Sequence, residues 1–183
     1  MEYIIRPMEK SDWGEIVEIY SQGIQSNNAT FNTSCPSYEE WDNSHIKECR
    51  FVAEYDSEVL GWAALSLVSA RECFKGVAED SIYIDLNHWG EGVGEKLLNA
   101  LLEESEKCGF WTVQAQIIQN NSVSIRLHEK CGFRMVGYRE RIAKDRFGMW
   151  RNIVIMEHRI KSDIEGGCDC DMVKAMKKEQ EMA

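Results

Sequence analysis

The chain has 183 residues, 44% of them hydrophobic, and a formal net charge of −10, which suffices for one sizeable core and points to a single domain. With so acidic a balance and no basic stripe, a nucleic-acid partner is excluded, because phosphate recognition needs a basic face. The longest apolar stretch, around Val59 to Val68, is too short to span a bilayer and Met1 to Arg6 lacks a signal-peptide pattern, so a cytoplasmic protein with no membrane partner is expected.

Tyr3 to Arg6 alternates as a short strand, and Ser11-Asp12 opens a helix whose apolar stripe runs through Trp13, Ile16, Val17 and Tyr20. A polar connection over 25–36 leads to Ser37-Tyr38-Glu39-Glu40, a capping box for a second helix carrying Trp41. Phe51 to Tyr55 and Val59 to Val68 read as strands joined in a hairpin at Asp56-Ser57-Glu58, with a third strand at Ser81 to Ile84. A helix follows with Val93, Leu97, Leu98, Leu101 and Leu102 on one stripe. Thr112 to Ile118 is then a strand and Ser122 to Lys130 a helix closed at Cys131-Gly132-Phe133. Met135 to Ile142 and Asn152 to Glu157 form a final antiparallel pair. This order is that of an α/β (α+β) layered domain. The seven cysteines form no Cys-x-x-Cys pair and read as free thiols in a reducing compartment.

The most informative segment is Trp89-Gly90-Glu91-Gly92-Val93-Gly94, set between a strand and a helix. Glycines allow close approach of the backbone, and a helix N-terminus offers unpaired amides and partial positive charge, so the pattern suits a pyrophosphate. Neither the P-loop frame nor the dinucleotide fingerprint fits the glycine spacing.

The loop resembles the acetyl-CoA loop of the GCN5-related N-acetyltransferase superfamily. The resemblance spans residues 3 to 158, and within the superfamily is closest to the phosphinothricin and methionine-sulfone N-acetyltransferases. It is carried by Ala29-Thr30-Phe31-Asn32-Thr33 with Glu39-Glu40-Trp41, by Glu79-Asp80-Ser81-Ile82-Tyr83-Ile84, by the run from Asn121 to Phe133, and by Phe147-Gly148-Met149-Trp150. It implies an acetyltransferase fold over 1–160, a central mixed, mostly antiparallel sheet flanked by helices, with acetyl-CoA as co-substrate. It also implies a homodimer and a small-molecule amine acceptor.

The same resemblance distributes roles. Glu79 matches the glutamate that accepts the amine's proton, and His128 stands where relatives place the group that protonates the departing thiolate. The backbone of Ile82, Tyr83 and Ile84 would bind the pantetheine arm. Trp89, Gly90, Glu91, Gly92, Val93 and Gly94 would surround the pyrophosphate, with weaker affinity expected because Trp89 and Glu91 replace basic side chains. Asn121 and Ser124 either contact the cofactor or cap their helix, and Tyr83 either faces the acceptor or fills the core. On the acceptor side stand Phe31, Thr33 and Arg71, the last as a clamp for a carboxylate, although Ser69 replaces a second basic residue of several relatives. The expected reaction is acetyl transfer to a small amino-acid-like amine of the phosphinothricin or methionine-sulfone type. Transfer to a polyamine or peptide N-terminus, or acyl-CoA sensing without turnover, are the alternatives. The segment 161–183, with Cys168 and Cys170, is expected to be a flexible or weakly docked tail, without the four ligands of a structural zinc site; no metal is expected.

Overall fold

The computed structural model describes residues 2–160, so the expectations for 161–183 lie outside the described residues. Seven strands form one sheet in the order β1-β2-β3-β4-β5-β7-β6. β1 (Ile4–Pro7), β2 (Arg50–Tyr55) and β3 (Glu58–Leu67) run antiparallel to their neighbours, as do β4 (Val77–Ile84) with β3, and β7 (Trp150–Arg159) with both β5 (Thr112–Ile118) and β6 (Arg134–Lys144). The parallel pair is β4 with β5. Between these strands lie the helices α1 (Trp13–Gln25), α2 (Tyr38–Ser44), α3 (Val93–Lys107) and α4 (Ser122–Lys130). The expected order of elements and the mixed, mostly antiparallel sheet are thus present.

Local chemistry explains several boundaries. Ser37 caps α2 through its side chain, which accepts from the Glu40 amide, and Glu40 answers through the Ser37 amide, so the capping box forms as expected. Asp56 and Ser57 both take positive φ, the geometry of a two-residue hairpin turn whose twist matches its strands. Asp12, read as part of the helix start, is the N-cap residue of α1 and also a buried hub: its carboxylate accepts two bonds from the Arg6 guanidinium at 2.8 Å and one from the Glu9 amide at 2.7 Å. A 3-10 turn over Lys10–Asp12 precedes α1.

The largest departure from the expected boundaries is β4, which starts at Val77 rather than Ser81. Polar Glu79 and Asp80 do not read as strand, yet β3 pairs with residues 78–84 and β5 with 77–79, so tertiary pairing overrides local propensity. β6 and β7 likewise outrun the expected 135–142 and 152–157.

The sheet separates two apolar layers. On one face, Leu97, Leu98 and Leu101 of α3 pack with Leu60, Leu65, Ala78, Val113 and Met156. On the other, Ile16, Ile19 and Tyr20 of α1 and Trp41 of α2 pack with Val52, Trp62 and Ala64, and Tyr83 joins them. Because side chains alternate along a strand, Asp80 shares the α3 face with Ala78 and Ile82, whereas Glu79 and Ser81 share the α1 face with Tyr83. The described cysteines Cys35, Cys49, Cys73, Cys108 and Cys131 are free thiols. No described helix is long and apolar enough to cross a membrane.

Candidate active site

The ladder between β4 and β5 covers Val77↔Thr112, Ala78↔Val113 and Glu79↔Gln114. Beyond Glu79 the two strands part, although β4 continues to Ile84 and β5 to Ile118. A cleft of about 770 Å³ occupies the split and reaches both faces of the sheet. Its walls include Phe31, Glu79, Ile82, Tyr83, Ile84, Trp89, Gly90, Gly92, Val93, Gly94, Asn121, Ser124 and His128, so the fold brings most of the expected site residues together.

One end of the cleft is the glycine loop. Gly90 and Gly92 adopt φ of +84° and +82°, a left-handed conformation that side chains disfavour, and Gly92 is the N-cap of α3. A glycine cap has no side-chain oxygen for the first amides of the helix, which therefore remain donors for a ligand. Gly94 serves a different purpose from its neighbours: a Cβ there would lie 3.0 Å from Leu127 Cδ2, so it permits α3 and α4 to approach. Trp89 is exposed and donates its indole N–H to the Ile84 carbonyl at 3.0 Å. Glu91 does not line the cleft; its carboxylate lies 3.3 Å from His88 Nδ1. Donor-rich amides at a helix start, a split strand edge and a long cleft fit a cofactor with a pyrophosphate and an extended amide arm.

On the α3 face of the split, His128 of α4 is buried against Asp80 of β4. Nε2 lies 3.0 Å from Asp80 Oδ2 and Nδ1 lies 2.7 Å from the Ser124 carbonyl. A carbonyl only accepts, so Nδ1 carries a proton. Burial pushes the imidazole pKa down, but the charge and hydrogen bond of Asp80, with the Ser124 carbonyl, outweigh it and hold the value above the ordinary one. Asp80 Oδ1 is buried and has no hydrogen-bond partner among the described residues. Asn121 caps α4 by accepting from the Ser124 amide at 3.2 Å while also lining the cleft, so both of its expected roles are compatible.

On the α1 face, Glu79 Oε2 accepts from Gln114 Nε2 at 2.7 Å and Gln116 Nε2 at 2.6 Å. Two amides thereby fix the carboxylate while Oε1 makes no hydrogen bond among the described residues. Tyr83 stacks on Trp62 with ring centroids 4.9 Å apart and meets Tyr20 edge-on at 4.8 Å, so it is both a packed aromatic and a wall of the cleft. Burial pushes its hydroxyl pKa upward. Thr33 is exposed and does not line the cleft, whereas its neighbour Asn32 does. Arg71 also lies outside the lining: it is exposed, its guanidinium sits 5.4 Å from the Phe74 ring centroid, and it makes no ion pair among the described residues. Asp80, Gln114 and Gln116 were not singled out from the sequence. A Glu-Asp pair inside a strand must point to opposite faces, but residues 77–80 do not read as strand, so that signal for Asp80 appears only once β4 is seen to begin at Val77.

Comparison with known proteins places these features in a family. The family model described as Acetyltransferase (GNAT) family matches residues 13–133. An L-methionine sulfoximine/L-methionine sulfone acetyltransferase of Salmonella typhimurium is 28% identical over 158 residues, covering 84% of this chain and 92% of that protein. A phosphinothricin N-acetyltransferase of Streptomyces viridochromogenes is 30% identical over 153 residues, 81% of this chain and 83% of that one. Among solved structures, a phosphinothricin acetyltransferase from Sinorhizobium meliloti in complex with acetyl-CoA superposes with a TM-score of 0.80 at 25% identity, covering 93% of this chain and 95% of that one.

Proposed function

The chain belongs to the acetyltransferase (GNAT) family, and we propose that it transfers an acetyl group from acetyl-CoA to the amine of a small amino-acid-like acceptor. The observation that carries this reading is the split between β4 and β5, which sets Glu79 on the acceptor face of the same cleft that ends in the amides of α3. The named relatives act on amino-acid-type acceptors, which supports the acceptor class.

Acetyl-CoA supplies the activated acetyl thioester. The amides at Gly92 to Gly94 would hold its pyrophosphate, and the unpaired edge of β4 over Ile82 to Ile84 would hold its arm. Glu79 takes the proton of the attacking amine at Oε1, directly or through water, because only a neutral amine is nucleophilic. Gln114 and Gln116 keep that carboxylate oriented. His128 holds a proton at Nε2 for the leaving group, and Asp80 keeps it there. Phe31 supplies an apolar wall, and Thr33 and Arg71, exposed outside the cleft lining, are assigned to a hydroxyl contact and to the acceptor carboxylate.

A second copy of the chain completes this reading. β6 exposes Met135, Val136, Tyr138 and Ile142, the adjoining turn exposes Phe147 and Met149, and the start of β7 exposes Trp150, an apolar array that a homodimer would cover. The free thiols suit a reducing cytoplasm. Thiol release measured across methionine sulfone, phosphinothricin, other amino acids, polyamines and peptide amines tests the function. Turnover of amino-acid analogues is expected, and turnover of polyamines or peptide N-termini alone would overturn it.

A further inference from the structure

Past Glu79 the sheet consists of two diverging halves, β1 to β4 on one side and β5 to β7 on the other. On the acceptor face, side-chain hydrogen bonds of the described residues tie these halves together at two places. The first tie is Glu79 with Gln114 and Gln116. The second joins the connection after α1 to the turn between β6 and β7: Asn27 Nδ2 donates to Asp145 Oδ2 at 2.9 Å, Arg151 Nη2 to Asn28 Oδ1 at 3.1 Å, and Arg146 Nη2 to the Gln25 carbonyl at 2.8 Å.

Asp145 is the centre of the second tie. Its Oδ1 accepts from the amides of Phe147 and Met149, at 3.0 Å each, and its Oδ2 accepts from Asn27 and, at 3.1 Å, from Arg151 Nη1. One carboxylate oxygen therefore shapes the hairpin turn while the other grips the opposite half of the sheet. The side chain of Asp145 is 6% exposed and that of Arg151 18%, so water competes weakly for these charge-assisted bonds. Asn27 foremost, with the two turn amides and Arg151, outweighs burial and holds the Asp145 carboxyl down to about 2, so it stays ionised. The connection over 26–37 contains neither helix nor strand, and its course depends on such anchors, with Asn32 Nδ2 donating to Tyr20 Oη at 2.6 Å as another.

Asn28, Ala29, Thr30 and Phe31 line the cleft from that connection, and Ile142 and Ala143 line it from the hairpin. We propose that Asp145 is a positioning residue for acceptor recognition: through Asn27, and with Arg151 on Asn28, it fixes the loop that carries Phe31 against the hairpin that carries Ile142. The acceptor is then confined between this latch and Glu79, which favours a compact amine over an extended one. The inference rests on the acetyl-transfer reading given above. A loop without secondary structure would otherwise have to be ordered as the acceptor arrives, and the latch orders it in advance.

Two variants open the latch by different means. Asp145→Asn keeps an acceptor for the turn amides but presents N–H groups to Asn27 and Arg151, and Asn27→Gly removes the reaching amide while tolerating its φ of +51°. In each, KM for the amine that the wild type turns over best is expected to rise about tenfold. Affinity for acetyl-CoA by calorimetry should hold, and the ratio of kcat/KM for a free amino acid over a dipeptide should fall. Backbone amides of residues 27–33 should exchange hydrogen at least about tenfold faster. The double variant should lose no more than Asp145→Asn alone, because the latch is already open, whereas independent lesions would add. Arg151→Gln, which releases Asn28 and leaves the turn amides on Asp145, carries the test should Asp145→Asn not fold. Unchanged KM in folded variants, with or without faster exchange, overturns the positioning role, as do additive losses. A wild type that acetylates only polyamines or peptide N-termini overturns the amino-acid reading and the preference for compact amines, while a raised KM for that amine in Asn27→Gly would still uphold the latch.

Discussion

Asp80 and His128 face each other across the seam between β4 and α4, with Oδ2 3.0 Å from Nε2 and each side chain 2% exposed. The Ser124 carbonyl fixes the proton on Nδ1, so the ring can gain or lose a proton only at Nε2, the nitrogen that Asp80 faces. Among the neighbouring groups, Lys130 pairs with Glu95 at 2.6 Å, and burial pushes the Cys131 thiol up to about 11.

This pair sets a pH dependence of stability. The folded pKa of His128 is raised, so its contribution is present in full below the unfolded value of about 6.5 and is lost as pH climbs through the raised value. Thermal melts of wild type and His128→Gln between pH 5 and 9 should diverge most at the acid end and converge at the alkaline end. Parallel curves would show that the histidine carries no charge-linked stability.

Asp80→Asn keeps the shape of the side chain and removes its charge. The alkaline limb of the kcat profile should then move to lower pH, since burial is left opposed only by the Ser124 carbonyl at His128. His128→Gln should abolish that limb. A loss of activity with an unmoved profile in Asp80→Asn would mark a purely structural role.

Glu79→Gln is expected to lower kcat by about 10²- to 10⁴-fold with little change in acetyl-CoA affinity, because it removes a proton acceptor while preserving contacts to Gln114 and Gln116. Single-turnover kinetics with calorimetry of the cofactor provide the check. A kcat within about threefold of wild type would remove Glu79 from the reaction.

Gly92→Val forces a β-branched residue to φ of +82° at the cap of α3. The added Cβ would lie 3.7 Å from the Tyr3 hydroxyl, ordinary contact, so the cost is backbone strain rather than a clash. Calorimetry should show acetyl-CoA affinity lowered by at least about tenfold. Retained affinity would move the pyrophosphate site elsewhere.

Arg71→Ala should raise KM for an acceptor bearing a free carboxylate and leave its methyl ester much less affected, by about tenfold against about twofold. Equal losses on acid and ester would remove the clamp.

Much of the fold was legible because it is written in local signals: the capping box at Ser37 and Glu40, the apolar stripe of α3, and the turn at Asp56-Ser57. The glycine loop was legible through its place in a strand-loop-helix unit, whereas Glu79 was singled out only through the family resemblance. The early start of β4 was not, because residues 77–80 become strand through partners on β3 and β5 distant in sequence. The aromatic cluster on the α1 face was hidden for the same reason. Tyr20, Trp41, Trp62 and Tyr83 belong to four elements, and each reads singly as ordinary core.

The place of β7 between β5 and β6 bears on how the chain is made. During synthesis β5 and β6 emerge first and wait, each with an open edge, for the strand that will join them. Until residues 150–159 are available, the far wall of the cleft hangs on the short ladder over Glu79. A chain interrupted before Trp150 would therefore present two unpaired sheet edges, the kind of surface on which nascent proteins adhere to one another.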